Sequence, residues 1–232
     1  MQIRLTEMME GAQQAEGLTV IIDVFRAFSM ECYMFQQGAD KITAVGNKEE
    51  AYALKLKNPE ALLVGERNEI PLPGFDYGNS PTLIKRADLR KKAIIHTTSA
   101  GTQGIVSAVH AEEILTGSLV NAKAVAEYIK KKNPEKVTLV GMGVNGKTRA
   151  QEDWLCAQYL KSLIEGKAMD IGNRIEELKQ TTGARFFDPA RQNFGPEEDF
   201  YLCTNCDLFP FVIRAVQEET GYGMHCVKEW KW

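Results

Sequence analysis

The chain has 232 residues, 44% hydrophobic and 25% charged, long enough for one large α/β domain or two small ones around a sizeable core. A formal net charge of -3 offers no general attraction to nucleic acid or an anionic membrane, and no apolar run approaches the roughly 20 residues of a membrane span. Five scattered cysteines, an odd number, argue against a disulfide framework and for a soluble protein of the reduced cytoplasm.

The opening Met1-Gln2-Ile3-Arg4-Leu5-Thr6-Glu7 alternates and carries charge, which predicts a first strand and not a signal peptide. Apolar β-type runs follow at Leu18–Ile22, Lys41–Val45, Leu62–Gly65, Ala93–His96, Glu113–Leu115 and Val137–Val140. Helical patterns are expected at roughly 27–37, 48–58, 102–110, 121–132 and 150–165. Strand then helix, repeated this often, predicts an α/β fold: a layered α/β/α arrangement with a largely parallel or mixed sheet. Residues 167–196 break the rhythm with a charged helix over Asp170–Gln180, then Arg-Phe-Phe-Asp-Pro and a Gly-Pro turn. They read as a helical excursion before a last strand near Asp199–Cys203 and a terminal helix from about Pro210 to Thr220. One continuous unit over 1–232, with two lobes as the variant, is the economical organisation.

Three times a buried strand runs straight into a polar or Gly-rich loop and then a helix: 20–26, 94–104 and 137–153. In an open parallel sheet ligands bind where such loops gather, at the carboxyl ends of the strands. The helix N-termini that follow favour an anion.

The first such loop is Ile21-Ile22-Asp23-Val24-Phe25-Arg26. An Asp at a strand end beside an Arg suits a metal ligand next to a phosphate clamp, or a helix-capping Asp paired with its neighbour. A haloacid-dehalogenase-type phosphatase needs a second Asp at position 25, where Phe25 stands. Glu66-Arg67 ends another apolar strand and precedes the stiff loop 71–81, whose prolines and glycines would hold Asn79 and Ser80 in place. His96-Thr97-Thr98-Ser99-Ala100-Gly101-Thr102 puts four hydroxyls and a glycine between strand and helix, an oxyanion cradle where an N-cap would need only one hydroxyl.

Gly141 to Thr148 satisfies G-x-x-x-x-G-K-[ST] and contains G-x-G-x-x-G. A P-loop needs a later apolar strand ending in Asp, and Phe200–Cys203 makes a poor partner; the dinucleotide reading needs an acid ending a second strand, whereas Glu165 ends a helix. A P-loop-type nucleotide hydrolase stands as the alternative. Glu152 and Asp153 open the next helix, favoured there by the helix dipole or as metal ligands beside the loop. Cys203-Thr204-Asn205-Cys206 with His225-Cys226 is a weak zinc signal. No cysteine has Arg six positions later (Gly38, Ser162, Phe209, Val212 and Trp232 stand there), so a cysteine-based phosphatase is excluded.

Six ordered blocks then form a set: Ile22-Asp23-Val24-Phe25-Arg26-Ala27, Gly65-Glu66-Arg67, Gly74-Phe75-Asp76-Tyr77-Gly78-Asn79-Ser80-Pro81, Thr97-Thr98-Ser99-Ala100-Gly101-Thr102, Gly117-Ser118-Leu119-Val120-Asn121-Ala122 and Glu152-Asp153-Trp154-Leu155-Cys156-Ala157. The series resembles the 2-phosphosulfolactate phosphatase family, which acts in coenzyme M biosynthesis in some archaea and has many bacterial homologues. The resemblance implies Mg²⁺-dependent hydrolysis of a small phosphorylated anion to 3-sulfolactate and phosphate. This chain departs from the family at Ser99-Ala100, where Thr-Asn is usual, and at Phe25 and Phe28, where the wall becomes bulkier and less polar.

On this basis Asp23, Glu66 and one of Glu152 or Asp153 are expected to hold Mg²⁺ with waters. Arg26 and Arg67 would clamp phosphate, with Asn79 and Ser80 nearby. Thr97, Thr98, Ser99, Gly101 and Thr102 would bind a second anionic group. A covalent phospho-Asp at Asp23 stays open, as do a homodimer and a non-catalytic, anion-binding homologue.

Overall fold

A computed structural model describes residues 1–228; the last residues of the unit expected over 1–232 lie outside the described residues. Ten strands form one sheet: β1 (Gln2–Glu7), β2 (Gly17–Ile22), β3 (Lys41–Ala44), β4 (Leu62–Arg67), β5 (Ile70–Pro71), β6 (Ala93–Thr97), β7 (Ala111–Gly117), β8 (Lys136–Gly141), β9 (Val212–Gln217) and β10 (Tyr222–Val227), in the order β1-β8-β2-β7-β9-β10-β3-β6-β4-β5. The helices are α1 (Met8–Gln13), α2 (Ala27–Gln36), α3 (Lys48–Lys57), α4 (Pro81–Ile84), α5 (Gly101–Ser107), α6 (Ala122–Lys132), α7 (Gln151–Glu165), α8 (Ile171–Leu178) and α9 (Glu197–Thr204). The layered α/β expectation holds, with a mixed sheet. No helix of the described residues is long and apolar enough to cross a membrane.

The layering follows from β2, whose six residues are all buried. Leu18, Val20 and Ile22 pack with α6 and α7, while Ile21 packs with α2 and α5 on the opposite face. Successive side chains of a strand point to opposite faces, so a strand buried at every position needs helices on both sides. Each such fully buried Val, Leu or Ile contributes about 1.5–3 kcal/mol.

Two expectations at the C-terminal end are corrected. Asp199–Cys203, expected as a strand, lies in α9. Pro196 sets its N-cap and Glu197, Glu198 and Asp199 fill its first turn, where the helix dipole favours acids. The stretch expected as a terminal helix from Pro210 to Thr220 holds β9, which turns into β10. Val212-Ile213-Arg214-Ala215-Val216 is rich in β-branched residues, and its two neighbours in the sheet outweigh any helical tendency.

That final hairpin determines the shape. The strands β1, β8, β2 and β7 are mutually parallel, and so are β3, β6 and β4. Between the blocks, β9 is antiparallel to β7, β10 to β9, and β10 to β3, so the two blocks run in opposite senses along the sheet. In a flat sheet β7 and β6 would be four strand spacings apart, about 19 Å. Yet the buried Glu31 carboxylate, on α2, pairs with His96 of β6 at 2.9 Å and accepts a 3.5 Å hydrogen bond from Thr116 of β7. The sheet therefore curls around α2, beyond the ordinary twist of neighbouring strands, and loops from both blocks meet on one side.

Candidate active site

The loop after β2 is tied down by backbone donors. Asp23 N–H donates to Gly117 O (3.2 Å), and the Asp23 Oδ1 accepts from Ala27 N–H (3.1 Å) at the start of α2. This is the capping role foreseen as an alternative, and the Gly101 backbone also stabilises the carboxylate. The second oxygen, Oδ2, faces Gly101, where an added Cβ would come within 2.9 Å of it. Thus Gly101 serves close approach of α5 to the carboxylate. The Phe25–Arg26 peptide bond is cis.

Glu152 and Asp153 enter from the first turn of α7. Asp153 Oδ1 accepts from Val24 N–H and its Oδ2 from Gly143 N–H, both at 2.8 Å, so this side chain brackets two loops together. Glu66, at the end of β4, is likewise engaged: Oε1 accepts from Ser99 N–H (2.7 Å), and Oε2 from Ser99 Oγ (2.9 Å) and Glu69 N–H (2.7 Å). Arg26, 4% exposed, donates from Nη1 to Asp199 Oδ2 and to Phe194 O, both at 2.7 Å. Asp199 also accepts from Ser80 Oγ (2.8 Å), Thr82 N–H (3.0 Å) and Thr82 Oγ1 (2.7 Å). Among the described residues nothing engages the other guanidinium nitrogens of Arg26.

These groups surround a cavity of about 50 Å³ lined by Asp23, Phe25, Arg26, Glu66, Glu69, Asn79, Ser99, Ala100, Gly143, Val144, Asn145, Glu152, Asp153 and Arg185. Of the residues expected from sequence, Asp23, Arg26, Glu66, Asn79, Ser99, Glu152 and Asp153 line it. Gly101 abuts it through Asp23, and Ser80 reaches it only through Asp199. Arg67, Thr97, Thr98 and Thr102 are not among the lining residues. Arg67 Nη2 donates to Thr97 Oγ1 (2.8 Å) and Gly46 O (3.3 Å). Thr98 and Thr102 satisfy each other: Thr98 N–H donates to Thr102 Oγ1 (2.8 Å) and Thr102 N–H to Thr98 Oγ1 (3.2 Å). Two of the four hydroxyls counted as a cradle thus close the start of α5 in the manner of a reciprocal cap.

The Gly-rich loop after β8 bonds to itself: Val144 N–H donates to Thr148 O, and Lys147 and Thr148 N–H donate to Val144 O. A phosphate cradle needs those amides free, so the nucleotide-hydrolase alternative gains no support. The five cysteines are free thiols.

Electrostatics mark the cavity. Burial, reinforced by the carboxylates of Glu66 and Glu152, pushes the Asp23 carboxyl up to about 7 against the pull of the Ala27 N–H. Burial and the neighbouring Asp23 raise Asp153 well above the carboxylate range, and burial raises Glu152, with Arg185 opposing. Five acids line the space against Arg26 and Arg185. Two buried acceptors aimed there, Asn79 Oδ1 and Glu152 Oε2, have no partner among the described residues. Free oxygen acceptors amid mutually repelling carboxylates suit a hard cation. Among the described residues no three Asp, Glu, His or Cys side chains stand close enough to hold one ion between them. Asp23, Glu152 and Asn79 are the oxygen-bearing side chains that could hold such a cation, with waters filling its remaining positions.

Sequence reasoning did not single out Asp199, Glu69, Asn145 or Arg185. The signal for Arg185 was present, an Arg abutting Phe186-Phe187 in the excursion. Asp199 could not be found while its segment was read as a strand.

A family model described as 2-phosphosulpholactate phosphatase matches residues 4–218. The chain is 38% identical over 230 residues to a protein of Carboxydothermus hydrogenoformans, covering 94% of this chain and 95% of the other. It is 31% identical over 204 residues to one of Bacillus subtilis (87% and 88%) and 34% identical over 210 residues to one of Thermotoga maritima (85% and 88%). All three carry the name "Probable 2-phosphosulfolactate phosphatase".

Proposed function

This chain belongs to the 2-phosphosulpholactate phosphatase family, and from that premise we propose that it hydrolyses 2-phosphosulfolactate to 3-sulfolactate and phosphate with Mg²⁺ as cofactor. It is a phosphoric monoester hydrolase, as the family and the relatives' names indicate. The observation that carries the finer reading is the meeting of Asp23, Arg26, Asn79, Glu152 and Asp153 in one cavity at the ends of three strand-to-helix loops. The reading places the protein in the cytoplasm and its chemistry in coenzyme M biosynthesis or a related use of sulfonates.

Asp153 and Glu66 have both oxygens committed to N–H or O–H donors, so they position loops. Glu152 Oε2 and Asn79 Oδ1 have no donor among the described residues, and these, with the Asp23 carboxylate, would hold the cation together with waters. When bound, a divalent cation offsets phosphoryl charge and makes water more acidic. Arg26, anchored through Nη1, presents its remaining N–H groups to the phosphoryl oxygens in a planar fork suited to them. Phe25 lines the space with an apolar ring, and less water around a polar contact strengthens it. Asp23 Oδ2 orients the attacking water, and the P–O ester bond breaks on the opposite side of phosphorus.

Phosphate release from a panel of phosphorylated hydroxy acids, with Mg²⁺ and with a chelator, tests this reading. Release from 2-phosphosulfolactate that stops on chelation is expected. Undiminished release in excess chelator removes the metal from the proposal, and release from none of the panel removes the phosphatase.

A further inference from the structure

The β4–β5 hairpin turns through Asn68 and Glu69, both in the left-handed region at φ 53 and 67. Glycine is the usual occupant of such a two-residue turn, and a non-glycine residue there costs roughly 1–2 kcal/mol. The turn is nevertheless clamped over the cavity. Asn68 N–H donates to Ser99 Oγ (3.0 Å), Asn145 Nδ2 donates to Asn68 Oδ1 (3.1 Å), and Glu69 N–H donates to Glu66 (2.7 Å). What this arrangement secures is the Glu69 carboxylate at the cavity mouth.

Two guanidinium groups converge on it. Arg185 Nε lies 3.2 Å from Glu69 Oε1, and Arg191 Nη2 donates to Glu69 Oε2. Neither arginine depends on Glu69 for its place. The Arg185 guanidinium lies 5.7 Å from the Phe25 ring and 5.1 Å from the Phe186 ring, and its Nη2 donates to Phe25 O (3.4 Å). That of Arg191 lies 5.3 Å from the Phe194 ring, and its buried Nε has no acceptor among the described residues. Two guanidinium groups share the Glu69 carboxylate, which leaves them with N–H groups to spare and one unused buried donor, the Arg191 Nε. Asp23, Glu152 and Asp153 line the same cavity. A substrate with an anion besides its phosphate has one place to put it, because Arg67 and the Thr97, Thr98 and Thr102 hydroxyls are engaged elsewhere.

We propose that Arg185 and Arg191 bind the second anionic group of the substrate, a carboxylate or sulfonate a few bonds from the phosphate, and that Glu69 occupies their site in the free enzyme as an internal stand-in that the substrate displaces. This rests on the phosphatase reading of the same cavity and deepens it. The substrate class is then phosphate monoesters bearing a further strong anion, and esters without one leave Glu69 in place.

The test compares kcat/KM for 2-phosphosulfolactate, phosphoglycolate and ethyl phosphate in the wild-type enzyme and in Arg191→Gln, Arg191→Lys and Glu69→Gln. Removing one charge-assisted contact is expected to cut the preference of Arg191→Gln for the doubly functional esters over ethyl phosphate by about tenfold or more, mainly through KM. Arg191→Lys should recover part of it, and Glu69→Gln should raise the preference. The first two esters separate sulfonate from carboxylate recognition. An unchanged preference in Arg191→Gln, or an equal loss on all three esters in Glu69→Gln, overturns the proposal and makes Glu69 a loop latch only. Titration calorimetry with 3-sulfolactate, which needs no turnover, keeps the two readings apart. Weaker binding by Arg191→Gln supports the anion site even if the wild-type enzyme releases no phosphate. Equal binding by both, or none by the wild type, refutes it.

Discussion

Arg26 and Asp199, 173 positions apart in sequence, form a buried 2.7 Å ion pair whose members are 4% and 0% exposed. The arginine stands three residues after Asp23, at the end of the same loop, and the carboxylate sits in the first turn of α9, held by Ser80 and Thr82. The pair joins the N-terminal turn of the site, the stiff 71–81 loop and the end of the excursion, so positioning of Arg26 depends on all three.

Replacing Asp199 by Ala leaves a buried guanidinium and three donors without their acceptor. Breaking one member of such a pair costs about 3–5 kcal/mol. The expected result is a drop of that size in unfolding free energy from urea titration, with phosphatase activity falling in parallel. A loss under about 1 kcal/mol would mean that solvent reaches the pair.

The two neighbouring aspartates should separate by kind of damage. Asp23→Asn keeps an oxygen for the Ala27 N–H and removes an acid that burial disfavours, so it should fold well while turnover is lost. Asp153→Asn must aim an NH₂ at one of two backbone N–H donors, costing about 1–3 kcal/mol. Paired melting curves and phosphate assays read this; retained turnover in Asp23→Asn takes that residue out of the chemistry.

At Gly101 an added Cβ would lie 2.9 Å from both Asp23 Oδ2 and Ala27 Cβ, and 3.0 Å from the Phe28 ring. Gly101→Ala should therefore displace the carboxylate and depress kcat. Gly46, whose nearest contact would be 3.5 Å, is the control, and Gly46→Ala should change stability by no more than about 0.5 kcal/mol. Equal effects at the two positions would contradict the close approach described for Gly101.

Stability of the metal-free protein should fall as pH rises. Burial pushes the folded Asp23 carboxyl up to about 7 from the 3.8 of an ordinary aspartate, so between these values the folded chain binds more protons than the unfolded one. The slope of unfolding free energy with pH is then negative. Stabilisation relative to the ionised state is present at the acidic end of that window and lost as pH passes through about 7. Asp153 and Glu152, also raised, act in the same direction. At about 1.4 kcal/mol per unit the change is of the order of a few kcal/mol. Urea midpoints at about pH 5 and about pH 8 in chelator, roughly three units apart, measure it, and Mg²⁺ should restore stability at the higher value. A midpoint that rises with pH in chelator contradicts the clustering of buried acids.

Much of the site was legible along the chain because its chemistry begins at strand ends. Asp23, Glu66, Glu152 and Asp153 each stand where an apolar run or a loop gives way to the next element, and a buried strand pattern is readable from residues alone. The cradle of Thr97 to Thr102 misled because hydroxyl count says nothing of partners: Thr98 and Thr102 found each other, and Thr97 found Arg67. Likewise the Gly141–Thr148 motif matches in letters, yet its amides close on their own carbonyls.

Composition and periodicity by themselves determined the layered α/β class, the main strands and helices through α7 apart from α1, β5 and α4, and the acids poised at element ends, since these depend on neighbours in sequence. Only the tertiary structure decided that two parallel blocks of opposite sense face one cavity, because that follows from the β9–β10 hairpin and from the sheet curling around Glu31 of α2. It also decided which oxygens remain free and which arginines meet Glu69. Such pairings join residues more than a hundred positions apart, where propensity carries no information and geometry alone selects the partner.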